Sequence, residues 1–405
     1  MAGSRGKAVV IGGSMSGLLS ALLLRRAGWD VDIYERVESE LSGRGAGIVA
    51  QKELIERLRG LGLATDALGV QITTRKILDR EGRVTEEFHC PQVLTAWERV
   101  YRLLRDALPP ERYHRARGFA GFEAGTDKVL ARFSDGETIE ADLLVGADGT
   151  RSTIRGQALP KAVPLYAGYC AWRALIAESD FPPDVHRDLF ECMSFTLPPG
   201  EQLLGYPVAG PDNDLRPGHR RYNIVWYRPS DEKTKLPWLL TDERGTTHAL
   251  SIPPPLIRHE AIAEMRAAAE RLAGPQMRQI MRLIEEPILQ PIYDLESPRM
   301  AFGRVAILGD AAFVARPHVA AGVSKGADDA AALAAALTAE PDVPAALKRF
   351  EAARLPENYR IIERARHLGA YLQATRTQEE QARAGMHSTD AAVIAETAVL
   401  DFLYA

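Results

Sequence analysis

Four short clusters along the chain have residue types and spacing suited to chemistry. The first is Gly12-Gly13-Ser14-Met15-Ser16-Gly17, followed at a distance by the acid Glu35 and Arg36. The second is Gly146-Ala147-Asp148-Gly149, and the third is Gly309-Asp310-Ala311-Ala312. The fourth is Arg316-Pro317-His318, running on to Gly322-Val323. A glycine-rich turn that opens a helix presents unpaired N–H groups and the positive end of the helix dipole, and both attract a pyrophosphate. A carboxylate at the end of the next strand can accept from both hydroxyls of an unphosphorylated ribose, as in FAD or NAD. Asp148 and Asp310 can each accept from a further sugar or ribityl hydroxyl. A histidine has an ordinary pKa near 6.5, so His318 is a candidate to take or share a phenol-like proton at neutral pH.

The elements that must position these groups are readable from hydrophobic runs. Lys7–Ile11 is a short β-branched and apolar run, which reads as a buried parallel strand. It leads straight into the glycine cluster, then a Leu/Ala-rich helical stretch closed by Gly28, then a second strand, Val31–Tyr34, ending at Glu35. This is a complete β-α-β unit, with Ser14 where the usual fingerprint has its middle glycine. Leu143–Val145 and Val305–Leu308 are two more buried strands, and each delivers one aspartate to its carboxyl end, where open α/β sheets bind ligands. One such aspartate is often only a helix N-cap. Three such motifs in this order exceed that explanation.

The 405 residues carry 50 Lys+Arg against 54 Asp+Glu, a net charge of −4, with 46% hydrophobic and 26% charged residues. Those values suit a two- or three-domain globular protein and argue against nucleic acid or an anionic membrane as the main partner. Cys90, Cys170 and Cys192 are too few and scattered for a disulfide scaffold or zinc ribbon, which points to the cytoplasm. The run Leu18–Leu24 is too short to span a bilayer and belongs to the first helix.

The ordered segments IGGSMSG, LLVGADGTRS and VAILGDAAFVARP resemble the three FAD signatures of the FAD-dependent aromatic hydroxylases, the single-component flavoprotein monooxygenases. The resemblance spans about residues 7–360. It implies an α/β fold with a Rossmann-like FAD-binding domain of residues 1–70, 100–160 and 290–345. An inserted antiparallel-sheet substrate domain would take residues 71–99 and 161–289, and C-terminal helices residues 346–405. Strands are expected at Tyr166–Ile176, Gln202–Val208 and Arg221–Tyr227, and helix over 258–284 broken at Gly274-Pro275. The chain departs from many members at Phe313, Ser324 and Tyr101, where the family has His, Asn and Arg.

The implied reaction uses NADH or NADPH to reduce non-covalently bound FAD. Oxygen then adds at the flavin C4a, and the hydroperoxide transfers its terminal oxygen to an electron-rich aromatic or N-heteroaromatic ring, such as a dihydroxypyridine. No second nucleotide fingerprint is present, so NAD(P)H is expected to dock transiently. The resemblance assigns cofactor contacts to Gly12, Gly13, Ser14, Met15, Ser16, Gly17, Glu35, Arg36, Arg44, Gly45, Asp148, Gly149, Gly309, Asp310, Pro317, Gly322 and Val323. His318 and Tyr206 are the catalytic candidates, and Gln51, Tyr169 and Arg173 the substrate-binding ones. Tyr169 and Arg173 share one strand face and Trp172 takes the other. No metal is expected, and self-association into a homodimer is left open. A non-hydroxylating flavoprotein, an oxidase or a flavin-binding regulator, stands as the alternative.

Overall fold

The computed structural model describes residues 5–41 and 47–403. Arg44 and Gly45, expected at the cofactor, lie outside the described residues.

Lys7–Ile11 is the centre of a six-stranded sheet. It pairs in parallel with Asp30–Tyr34 on one side and Leu143–Gly146 on the other. Val305–Ile307 extends the parallel set, Tyr113–His114 closes one edge, and Ala301–Phe302 runs antiparallel at the other. All four residues of Leu143–Gly146 and all three of Val305–Ile307 are buried, the reason these strands are continuously apolar. Helix Met15–Arg26 packs against helix Gly322–Ala339, which in turn packs against the long helix Val343–Gly369. The helix Met15–Arg26 carries Arg25 and Arg26 in its last turn, favourable at the negative end of its dipole, and stops at Ala27-Gly28. A three-stranded sheet of Phe119–Ala124, Val129–Phe133 and Thr138–Ala141 contributes to the same core.

A second sheet has eight strands, in the order Ile288–Asp294, Leu165–Ala177, Arg221–Pro229, Gln202–Val208, Met193–Thr196, Val70–Leu78, Val84–Ala96 and Gly47–Val49. All its pairings are antiparallel except Met193–Thr196 with Val70–Leu78. Strict alternation divides its two faces. Cys170, Trp172, Ala174, Ile224 and Trp226 pack against helices His259–Leu272 and Pro275–Arg282. Tyr169, Ala171, Val225, Tyr227, Leu204 and Tyr206 point the other way, towards the C-terminal helices Gln378–His387 and Asp390–Glu396. The helical break at Gly274-Pro275 is present. Among the described residues, no helix is long and apolar enough to cross a membrane.

Candidate active site

The glycine turn is built by close contact. A Cβ on Gly17 would stand 1.9 Å from the Gly12 carbonyl oxygen, and one on Gly12 (φ +104°) would stand 2.2 Å from the Ala147 oxygen. The turn therefore lies directly on the backbone that follows Leu143–Gly146. Ser16 reaches the third cluster: an added Cβ on Gly309 or Gly326 would come within 2.4 Å of its hydroxyl. Met15 is buried at the start of the helix. The helix N-cap, Ser14, makes no side-chain cap bond, and no acid occupies the first turn, so the leading N–H groups have no side-chain acceptor from the cap.

Glu35 is buried and well placed. Its two carboxylate oxygens accept from Gly13 N–H and Val37 N–H, each at 2.9 Å, and each oxygen retains a lone pair. It lines a cleft of about 470 Å³ together with Gly12, Ser14, Arg36, Asp148 and Gly149. Asp148 Oδ2 accepts from Thr153 N–H at 2.7 Å and from Ile154 N–H at 3.3 Å. Asp148 Oδ1 is buried with no partner among the described residues, and burial pushes the carboxyl up from its ordinary value.

A second cavity, of about 280 Å³, lies beyond the loop at 148–151, to which it contributes Thr150. Asp310, Pro317, Gly322 and Val323 line it. The helix that Gly322 opens has no side-chain cap, and a Cβ there would meet nothing within 4 Å, which leaves open space beside the leading N–H groups. Tyr206, Tyr227, Arg173 and His318 also line it, with apolar packing from Val49, Met193 and Leu204. An orphaned acceptor at Asp148, two uncapped helix starts and an open cradle at Gly322 fit an elongated dinucleotide such as FAD, with phosphates at the first helix.

Four residues outside the motifs, Arg155, Asp329, Arg354 and Asn358, hold these turns in place. Buried Arg155 donates to Thr150 O at 2.6 Å and to Ala311 O at 2.9 Å, tying the two aspartate turns to each other. Asp329, fully buried, accepts from Gly309 N–H at 3.0 Å, Arg354 Nε at 2.8 Å and Asn358 Nδ2 at 3.1 Å. Nothing in their local sequence distinguishes these residues, because their partners are remote in the chain.

His318 is buried. Its Nε2 is 2.9 Å from Tyr169 Oη, and its ring centroid is 4.4 Å from that of Tyr227. The ordinary value near 6.5 expected from sequence does not hold here: burial, aided by the nearby Arg316 guanidinium, pushes His318 down to about 3. At neutral pH the ring is neutral. Tyr169 stands behind His318 rather than in the cavity lining, and burial raises its phenol, so it stays protonated. Tyr206 lines the cavity, and burial pushes its phenol up to about 12, so it too is a neutral hydroxyl. Arg173 Nη1 donates to Gln290 Oε1 at 3.0 Å and Nη2 to Gly47 O at 3.2 Å, while Nε is buried without a partner among the described residues.

Gln51 is not in this cavity. Its amide donates to Ala398 O at 3.1 Å and it lines a separate outer groove. Sequence reasoning missed Tyr227, Gln290, Thr397 and Ala398 as lining residues. The alternation that singles out Tyr169 and Arg173 could have found Tyr227, which lies on the same sheet face and pairs with Ala171.

Glu35→Ala removes a carboxylate that lines the cleft and frees Gly13 N–H. The dissociation constant for FAD is expected to rise by about 10–100-fold, from roughly 1.5–3 kcal/mol for hydrogen bonds to a charged group. Fluorescence titration of apoprotein with FAD measures it, and an unchanged constant would take Glu35 out of the ribose site.

Comparison with known proteins agrees with this construction. A family model described as FAD binding domain-like matches residues 166–294. The 2,6-dihydroxypyridine 3-monooxygenase of Paenarthrobacter nicotinovorans is 33% identical over 369 residues, covering 90% of this chain and 91% of the relative. The 3-amino-4-hydroxybenzoate 2-monooxygenase of Streptomyces cremeus is 29% identical over 374 residues, covering 89% and 86%. The solved structure of 2,6-dihydroxypyridine-3-hydroxylase from Arthrobacter nicotinovorans superposes with a TM-score of 0.86 at 32% identity, covering 92% of this chain and 94% of that one. Klebsiella pneumoniae HpxO, solved with FAD and uric acid, shares the fold, with a TM-score of 0.74 at 22% identity over 94% of this chain and 92% of its own. The relatives named are monooxygenases, which decides between the two classes left open by the sequence. A shared fold, a full-length relative and a cleft fitted to the dinucleotide lead to one conclusion: the chain belongs to the FAD-dependent aromatic hydroxylase family and is a flavoprotein monooxygenase with FAD as its cofactor.

Proposed function

We propose that the protein hydroxylates an electron-rich, hydroxylated aromatic or N-heteroaromatic ring of the dihydroxypyridine type, with NAD(P)H as a transiently docked reductant and O2 as co-substrate. The observation that carries this reading is Arg173. It lines the cavity beside Tyr206, Tyr227, Leu204 and Met193, and no carboxylate pairs with it among the described residues, whereas the cavity's other guanidinium, Arg316, is paired with Asp294. A cation left in that setting suits an ionised ring hydroxyl, and ionisation is what makes the neighbouring ring carbon nucleophilic.

FAD, when bound, supplies the electron transfer and the oxygen activation. The chain's own residues then have four tasks. Arg173 stabilises the ring oxygen as its proton departs. His318, held through Nε2 by Tyr169, offers Nδ1 to the substrate hydroxyl, and Nδ1 has no partner among the described residues. Its depressed pKa makes it a group that orients and shares the proton more than one that keeps it. Tyr206 donates a hydrogen bond to a second ring substituent. Val49, Met193, Leu204 and Tyr227 keep the cavity dry.

A screen of hydroxypyridines and phenols for stimulated NAD(P)H oxidation, with mass spectrometry of the products, tests this reading. At least one hydroxypyridine is expected to stimulate oxidation and to yield a product one oxygen atom heavier. Stimulated oxidation that gives only hydrogen peroxide with every ring would count against it.

A further inference from the structure

Part of the cavity wall comes from far along the chain. Thr397 and Ala398 both line the cavity and both are buried, and Ala398 also lines the outer groove beside Gln51 and Gln92. Ala398 and Val49 line both spaces. Ala398 has φ +58°, in the left-handed region that an alanine keeps only where its surroundings hold it there.

The surroundings are specific. Ala398 N–H donates to His318 O at 2.6 Å, and its carbonyl accepts from Gln51 Nε2 and Gln92 Nε2, each at 3.1 Å. Behind Gln92 stands Arg75, which is completely buried. Its Nε and Nη2 donate to Gln92 Oε1 at 3.2 and 2.7 Å, and its Nη1 donates to Ile394 O at 2.7 Å. No carboxylate pairs with Arg75 among the described residues, so this guanidinium is spent on an amide and a backbone carbonyl. A buried cation so placed is costly, and what it holds is the end of helix Asp390–Glu396 and, through Gln92, the Ala398 carbonyl. Thr397 Oγ1 accepts from Gln202 Nε2 at 3.4 Å.

We infer that Thr397–Ala398 is a specificity-determining wall of the ring cavity, and that Arg75, Gln92 and Gln51 are positioning residues that fix it. The inference rests on the proposed reading that the aromatic substrate occupies this cavity. The wall sets the size of ring admitted, favouring one ring over two fused rings.

The test compares kcat/KM for a monocyclic hydroxypyridine with that for a bicyclic hydroxyquinoline. Two variants remove one methyl each: Ala398→Gly, which suits the left-handed backbone and so preserves the fold, and Thr397→Ser, which keeps the hydroxyl for Gln202. Each is expected to shift the ratio towards the bicyclic ring by about 10-fold, the discrimination typical of one methyl-sized change in a pocket. Gln51→Leu is expected to raise KM for the monocyclic ring by about 2–10-fold with kcat little changed, since it removes one of two donors to the wall and Gln51 does not itself line the cavity. FAD content and flavin spectrum serve as fold controls. Wild-type hydroxylation with an unmoved ratio in both methyl variants overturns this inference alone. A wild-type protein that hydroxylates no ring overturns the reading of the site and the wall with it.

Discussion

His318→Asn is expected to leave FAD bound while cutting hydroxylated product per NAD(P)H consumed, with the balance of electrons ending in hydrogen peroxide. The histidine lines the ring cavity, fixed by its 2.9 Å contact with Tyr169, and meets the substrate hydroxyl under the proposed reading. Losing a proton-sharing group costs 10²–10⁴-fold in general. A ring whose own pKa lies near 3 does not carry the proton away at neutral pH, so the lower end, about 10²-fold, is expected. The flavin spectrum and the ratio of product to peroxide are the measurements. Unchanged coupling would make His318 a packing residue and move the emphasis to Tyr206.

The same variant has a stability signature with a definite sign. In the unfolded chain the imidazole takes up a proton near pH 6.5, whereas in the fold it stays neutral down to about 3. Between those values the unfolded state binds more protons. His318 therefore destabilises the fold as pH falls from 6.5 towards 3, by about 1.4 kcal/mol per pH unit. Asparagine does not titrate. The gap in unfolding free energy between wild type and His318→Asn, read from urea titrations, should therefore move in favour of the variant by about 2 kcal/mol between pH 7.5 and pH 5. A gap that ignores pH would contradict a buried neutral imidazole.

Arg173→Met is the second large effect. Methionine keeps a long apolar stem but removes a charge that, among the described residues, has only Gln290 and the Gly47 carbonyl as partners. For a substrate whose hydroxyl must ionise, kcat/KM is expected to fall by about 10–100-fold, from roughly 1.5–3 kcal/mol for a charged hydrogen bond. The pH at which the rate saturates should rise by about one unit or more, because a nearby cation lowers the pKa of an acid and its removal restores it. Arg173→Lys should recover part of both. A pH–rate profile with unmoved inflections would place Arg173 in a purely structural role.

The sequence by itself determined the features that depend on neighbours in the chain. The β-α-β unit at 7–35, the aspartates at two strand ends and the glycines at the turn follow from apolar runs and punctuation, and each is where those rules put it. The shared face of Tyr169 and Arg173 follows from the two-residue repeat of a strand, since each residue's direction is set locally. What the tertiary structure alone decided involves residues far apart. Arg155 joins Thr150 to Ala311, Asp329 holds Gly309, and the pair Gln51 and Gln92 reaches Ala398 across some 300 residues of chain. The protonation of His318 belongs to the same class. Its neighbour Pro317 and the motif before it say nothing of Tyr169 or Tyr227 packed around the ring. A pKa is set by how much water and charge surround a group, and chain spacing carries no record of which distant side chains will exclude that water.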